Sequence, residues 1–545
     1  MAIQKLALIL KNPHNDDEFL IVEQSHPPKF DHQEYDSYVD SELWDLPSAQ
    51  LNSLRGESGS QSVVEVADSH LEEIDLKQFD FRLALNEIFE QIGFGAIERG
   101  VWKYCKYVQE PAFGPDLPVQ TVFITGVLAA EDNDLGDICR WMSVQSCLNW
   151  LLEVKPSSKR VGPLVVVGLI NDSLGSAKWK VPSAISYQEY PPGVTLIPMR
   201  SRTQKPFHTT NLVVFAPEHV PSDSGDKRFI ARGDALIVDP GCLSQFHEEL
   251  LKIVTTLPRR LVVFVTHHHY DHVDGLSVIQ KCNPDATLLA HENTMRRIRK
   301  DDWSLSYTSV SGDEEIHIGG QTLKVIFAPG HTDGHMALLH MNTNSLIVGD
   351  HCVGQGSAAL DITSGGSMTE YFKTTYKFLE LSPHSLISMH GRINLWPKHM
   401  LCGYLKNRSS REANILAAIE GGARTLFDIV ANVYCDVDRR AWIPASSNVR
   451  LHVDHLAQQD KLPKDFSLET FNSSLVGFVD MDFSVQKFKN TCGLHFASRW
   501  ILAYITGGFH KKKPSFLITG AVAVAVAGFA VFYSVKKEAS KVESE

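Results

Sequence analysis

Leu261-Val262-Val263-Phe264-Val265-Thr266-His267-His268-His269-Tyr270-Asp271-His272 is the stretch on which the fold turns. An unbroken apolar run this short reads as a buried strand. The polar residues that follow stand at the strand end, where ligands collect in α/β sheets. Side chains alternate along extended backbone, so His267 and His269 point the same way while His268 and Tyr270 face away. Asp271 and His272 fall on the next turn, where they can face a second ion. One segment thus supplies four metal-binding side chains.

Further ligands appear downstream, each closing another short apolar run. Leu323 to Phe327 leads to Pro329-Gly330-His331, Leu346 to Val348 to Gly349-Asp350-His351, and Leu386 to Ser388 to Met389-His390-Gly391. Taken in this order, the pieces resemble the signature of the metallo-β-lactamase superfamily. The resemblance implies an α/β fold, the αβ/βα sandwich of that family, over residues 191–403. It also implies that His267, His269 and His331 hold one metal ion and Asp271, His272 and His390 a second, with Asp350 bridging and Asp271 in the catalytic role. Nitrogen and carboxylate ligands without a thiolate suit two divalent ions, Zn²⁺ first among them. Such a centre hydrolyses with water that the metals activate, on phosphorus or on an acyl carbon. Asp239, which closes Leu236-Ile237-Val238, is read as a carboxylate that supports a ligand, and His335 and His351 as hydrogen-bonding neighbours. Cys352 is a small buried hydrophobe.

Composition sets outer bounds. The chain has 545 residues, 43% hydrophobic and 21% charged, which is globular and long enough for several domains. A net charge of -12 argues against a surface that coats nucleic acid broadly, while leaving room for a local basic groove. The strongest basic run in the hydrolase region is Arg296-Arg297-Ile298-Arg299-Lys300, either a solvated helix face or a grip on phosphates. The nine cysteines lack a Cys-x-x-Cys pair and fit reduced thiols facing the cytosol.

Residues 1–190 carry their own pattern of strands at Leu6 to Leu10, Phe19 to Val22, Leu43 to Leu46, Val119 to Thr125 and Val165 to Leu169. Between them Leu85, Ile88, Phe89 and Ile92 fall on one helix face. Leu43-Trp44-Asp45-Leu46-Pro47 and Asn86-Glu87-Ile88-Phe89-Glu90-Gln91-Ile92-Gly93-Phe94 resemble the strand and helix of a Nudix domain. The match is damaged: Asn86 and Gln91 replace an arginine and a metal-binding glutamate of that family's box. Glu87 and Glu90 remain, so the resemblance implies a Nudix-like α/β domain without its pyrophosphatase chemistry.

Residues 404–465 turn helical. Ile415, Ala418 and Ile419 make one stripe, Gly421-Gly422 stops it, Thr425 caps a second helix, and a third runs past Leu451 and His455. With Asn407-Arg408-Ser409-Ser410-Arg411-Glu412 ahead, this resembles the winged-helix-like C-terminal domain of β-lactamase-like endoribonucleases that act on single-stranded RNA. Asn407 stands where that family usually has histidine. A linker is expected over 466–514, then one C-terminal transmembrane helix over 515–535, uncharged and flanked by Lys511-Lys512-Lys513 and Lys536-Lys537. A helix of that length spans about 30 Å, so a tail anchor in an outer organelle membrane, a peroxisome or the endoplasmic reticulum is expected, with the bulk of the chain in the cytosol. The expected substrate is single-stranded RNA, with a small ester or thioester of glyoxalase or acyl-CoA type as the alternative. A membrane-tethered scaffold built on the Nudix-like region is a third reading.

Overall fold

Leu261–Phe264 is a strand, parallel to Ala235–Val238 on one side and to Thr287–Ala290 on the other. Its alternate side chains enter two cores. Leu261 and Val263 pack with Leu250, Ile253 and Leu276 from the helices His247–Thr256 and Leu276–Cys282. Val262 and Phe264 pack with Leu323, Val325, Leu338 and Ile347 of a second sheet. Each fully buried side chain of this size contributes about 1.5–3 kcal/mol, so packing on both faces fixes the strand.

In the computed structural model, residues 2–54, 64–65, 75–93, 100–128, 137–153, 158–171, 179–217, 229–473, 478–480, 491–493, 496, 499–501 and 503 are described. They divide into two units. One is Met1–Pro329 with Gly334–Ala358 and Lys373–Gly403, and the other is Gly330–Asp333 with Ala359–Phe372 and the chain from Tyr404 onward.

In the first unit residues 188–388 contribute two sheets. The seven-stranded one runs Gln188–Glu189, Val194–Arg200, Thr209–Phe215, Ala235–Val238, Leu261–Phe264, Thr287–Ala290 and Tyr307–Ser309. The six-stranded one runs Phe229–Gly233, Glu315–Ile318, Gln321–Phe327, Met336–His340, Ser345–Gly349 and Ser385–Ser388. The loops bearing His267, His331, Asp350 and His390 each follow a strand of one of these sheets.

The N-terminal region forms a nine-stranded mixed sheet in which Ile3–Asn12 lies between Val119–Leu128, parallel, and Asn15–Glu23, antiparallel. The helix Phe81–Ile92 buries Leu85, Ile88, Phe89 and Ile92 against it. Among the described residues, Glu87 and Glu90 of that helix join no group of three or more metal-capable side chains. The expected strand at Val165 to Leu169 is instead helical, as Pro163–Val165 and the π-helical turn Val166–Ile170. Pro163 fits a first helical turn, and the buried Asp45 carboxylate accepts from Leu164 N at 3.3 Å and Val165 N at 2.8 Å. Hydrophobicity alone cannot separate such a turn from a strand. Burial pushes the Asp45 pKa up to about 7 against the pull of these backbone donors.

The helix Pro397–Glu420, which belongs to the second unit from Tyr404 onward, stops at Gly421 and at Gly422, whose φ of 96° suits glycine. Thr425 and Asp428 make a capping box for Leu426–Val433, and Trp442–Gln458 completes the set. The stretch expected as a linker contributes the helix Leu468–Ser473 and a pair of short strands, Phe478–Asp480 with Thr491–Gly493. Its Phe471, Phe496 and Ala503 are buried in the helical core, which is why it does not read as a spacer.

The expected transmembrane helix requires correction. Among the described residues no helix is long and apolar enough to cross a membrane. The stretch 515–535 itself lies outside the described residues.

Candidate metal centre

Two groups of metal-capable side chains meet where these loops converge. His267, His269, His331 and Asp350 form one, and Asp271, His272, Asp350 and His390 the other, each with ligand atoms within 4.8 Å of one another. All seven residues singled out by the motifs are thereby brought together, and Asp350 belongs to both groups. In the second group His390 Nε2 lies 3.3 Å from Asp350 Oδ1 and 3.4 Å from Asp271 Oδ2. His272 Nε2 lies 3.4 Å from Asp350 Oδ1 and 3.8 Å from Asp271 Oδ2. The Tyr270–Val273 turn is helical, which carries Asp271 and His272 off the line of the strand.

The rings are aimed by partners outside the groups. Asp239 accepts from Thr266 N at 2.7 Å and Thr266 Oγ1 at 2.6 Å, and stands 2.8 Å from His272 Nδ1. A buried carboxylate there puts the His272 proton on Nδ1 and leaves Nε2 as a lone pair. His390 Nδ1 is 2.9 Å from Thr209 O, and His331 Nδ1 is 2.5 Å from Ala359 O. His335 uses both nitrogens in hydrogen bonds, to Ala328 O at 3.0 Å and from Asp350 N at 3.1 Å. His351 Nε2 is 2.8 Å from Thr375 Oγ1, and neither His335 nor His351 joins a ligand group.

Whether the residues fit a cation is answered by His272. Its Nε2 is buried, makes no hydrogen bond, and faces two carboxylates. A lone pair set against carboxylates is repulsive unless a proton or a cation lies between them. The same pressure appears in the titration of the group. Burial works against charge on His272 and His390, but Asp350 and Asp271 outweigh it, raising the first well above its ordinary value and the second to about 10. Burial likewise opposes charge on Asp271 and Asp350, yet the histidines hold Asp271 at about 2 and Asp350 well below the usual carboxylate range. Divalent cations would satisfy the acids without protonated rings, so the donor set fits them.

Close backbone contact keeps the loops in place. A Cβ on Gly241 would stand 1.7 Å from Asp271 O, so only glycine lets the loop after Ala235–Val238 lie against the ligand turn. The basic run makes local contacts while Arg296 and Arg299 stay more than half exposed. Arg296 is 3.2 Å from Glu292 Oε1, Arg297 donates to Asn293 O, and Arg299 holds both oxygens of Asp302 at 2.8 and 3.0 Å. Sequence reasoning passed over Thr209 and Thr266, whose roles run through backbone atoms or a single hydroxyl, and Asn211, whose side-chain amide donates to Ser388 O and Gly391 O.

Residues 229–380 match the family model described as "Metallo-beta-lactamase superfamily", and residues 425–465 that described as "Beta-lactamase associated winged helix domain". A Beta-lactamase-like protein 2 homolog of Drosophila melanogaster is 27% identical over 211 residues, 37% of this chain and 69% of that protein. A hydroxyacylglutathione hydrolase of Synechococcus sp. (strain JA-2-3B'a(2-13)) is 30% identical over 126 residues, 23% of this chain and 47% of that protein. The chain therefore spans less than half the length of that relative. Among solved structures, a Beta-lactamase domain protein from Burkholderia ambifaria aligns with a TM-score of 0.43 and 17% identity, over 54% of this chain and 94% of that one.

Proposed function

From a metallo-β-lactamase superfamily domain followed by its associated winged-helix domain, we propose that this protein is a divalent-metal hydrolase that cleaves phosphodiester bonds in single-stranded RNA. The observation that carries hydrolysis is the paired His/Asp groups sharing Asp350. The winged-helix match, together with the Asn407 to Glu412 resemblance to β-lactamase-like endoribonucleases, favours RNA. When bound, two divalent ions, Zn²⁺ in this reading, would activate water and offset charge developing on the electrophile. The chain's own part is to hold the donors. Asp239 fixes the His272 tautomer, Thr209 O fixes His390, and Asp271 and Asp350 present carboxylate oxygens to both rings of the second group. Asp271 is the catalytic carboxylate of this proposal.

A second reading, hydrolysis of an acyl-glutathione or acyl-CoA thioester, is supported by the hydroxyacylglutathione hydrolase relative and by the local engagement of Arg296, Arg297 and Arg299. One metal-loaded preparation assayed side by side on single-stranded RNA, an acyl-glutathione and an acyl-CoA separates the two. We expect RNA cleavage that His269→Ala abolishes. Thioester turnover lost in His269→Ala, beside RNA cleavage that survives it, would replace the proposal with the second reading.

A further inference from the structure

Two residues past His390, the Arg392 side chain leaves the hydrolase sheets and enters the N-terminal region. Its guanidinium donates to Glu110 Oε2 at 2.8 Å, Pro111 O at 3.1 Å and Leu117 O at 2.9 Å, and lies 5.1 Å from the centre of the Phe113 ring. Glu110 is itself held by Gln188 Nε2 at 2.9 Å. Both members of the pair are largely buried, with side-chain exposures of 22% and 20%, so these are charge-assisted bonds with little solvent screening.

The N-terminal region grips the chain on both sides of the arginine. Arg160 donates to His384 O at 3.0 Å and to Leu395 O, and lies 5.0 Å from the Trp396 ring. Asp40 accepts from Lys398 N at 2.9 Å and His399 N at 3.0 Å. Between these grips is a cavity of about 330 Å³ lined by Asp45, Thr121, Tyr190, Ile393 and Leu395 among others. Ile393 and Leu395 pack only partly against the neighbouring cores, and Asn394 exchanges backbone hydrogen bonds with Leu386 at 2.9 and 3.0 Å, so between that bridge and His390 the side chain that reaches outside the sheets for its restraint is Arg392.

Gly391 makes this matter for His390. It sits between the ligand and the arginine at φ 90°, and a Cβ there would stand 2.8 Å from Gly354 Cα. The position excludes a side chain, and glycine is the residue whose backbone swings most freely. On its hydrolase side the turn is tied by Asn211 Nδ2 to Ser388 O and Gly391 O, both at 2.8 Å. On its other side the next anchored group is Arg392. We propose that Arg392, clamped by Glu110, is a positioning residue for His390, and that the N-terminal region is thereby a working part of the second metal group. The inference rests on the metal-hydrolase reading above.

The test is a Co²⁺ titration of the metal-free full-length chain, followed by visible absorption and by metal analysis, on the unaltered protein, Arg392→Ala, Arg392→Lys and Glu110→Gln. The second ion is expected to bind about tenfold or more weakly in Arg392→Ala and Glu110→Gln while the first is retained, the size of effect that support of a ligand carries. Arg392→Lys keeps the charge without the planar fork and should recover only part of the loss. Glu110→Gln, nearly isosteric, decides the matter if Arg392→Ala fails to fold. Two ions bound as tightly in Glu110→Gln as in the unaltered chain would overturn the inference and leave the metal reading standing. Equal weakening of both ions with a lowered melting temperature would also overturn it, as the mark of a merely structural contact. An unaltered chain that takes up fewer than two ions would remove the metal reading and the inference together.

Discussion

Asp239 shows how much of a candidate metal site can depend on a residue that belongs to neither ligand group. It is fully buried, held at φ 50°, and accepts or faces three partners, Thr266 N, Thr266 Oγ1 and His272 Nδ1. A carboxylate offers two acceptor oxygens with lone pairs enough for three donors. In Asp239→Asn one position must become an amide N–H, which sets donor against donor in a buried place and releases the His272 tautomer. We expect the affinity for the second ion to fall about 10- to 100-fold, measured by competition with a coloured chelator. An unchanged affinity would mean that His272 needs no such partner. At this scale the motif residues were legible because their spacing is set by strand and turn. Thr209 O and Ala359 O were not, since a carbonyl acceptor leaves no mark in the sequence.

Between elements, the helices Pro397–Glu420 and Trp442–Gln458 are joined by a buried acid. Glu412 Oε2 lies 2.6 Å from His455 Nδ1 and 3.3 Å from His452 Nδ1, and Phe372 stacks on His455 at 5.0 Å. Burial alone would raise the Glu412 pKa, but the hydrogen bonds to His452 and His455 bring it down to about 2. A folded-state value below the unfolded one means that the charged acid favours the fold. That contribution is complete above the unfolded carboxyl pKa and is lost as pH falls through about 2. Glu412→Gln should therefore lower the unfolding free energy by at most about 3 kcal/mol near neutral pH, with the gap closing as pH falls below about 4.5. Urea unfolding of both proteins across that range checks it, and a gap independent of pH would show that the ionised acid contributes nothing. The elements that sequence periodicity revealed are those with one clear period, such as Phe81–Ile92 and Leu426–Val433. Val165 to Leu169 was misread because an apolar run of that length satisfies both periods. The core role of Phe471 and Phe496 was hidden because single aromatics in polar surroundings have no period at all.

Across the whole molecule, the net charge of -12 repels a polyanion unless cationic side chains gather locally. In the basic run, Arg299 pairs with Asp302 and Arg296 with Glu292, while both side chains stay more than half exposed. RNA binding through such side chains would release counterions. RNA cleavage at subsaturating substrate should then drop steeply, by about 10-fold or more, between about 50 and about 200 mM salt, while thioester turnover should hardly change. Equal salt dependence of the two activities would remove phosphate-chain recognition from the account.

The run from His267 to His272 keeps four of its donors within six residues whether or not the sheets exist, whereas His331, Asp350 and His390 reach them only through the fold. A denatured chain therefore retains a partial chelate. Metal bound there lowers the free energy of the unfolded ensemble as well, so the rise in stability on adding metal will be smaller than the native affinity alone would give. If the groups do hold metal, the same local chelate would let an ion settle on the chain before the two sheets have closed.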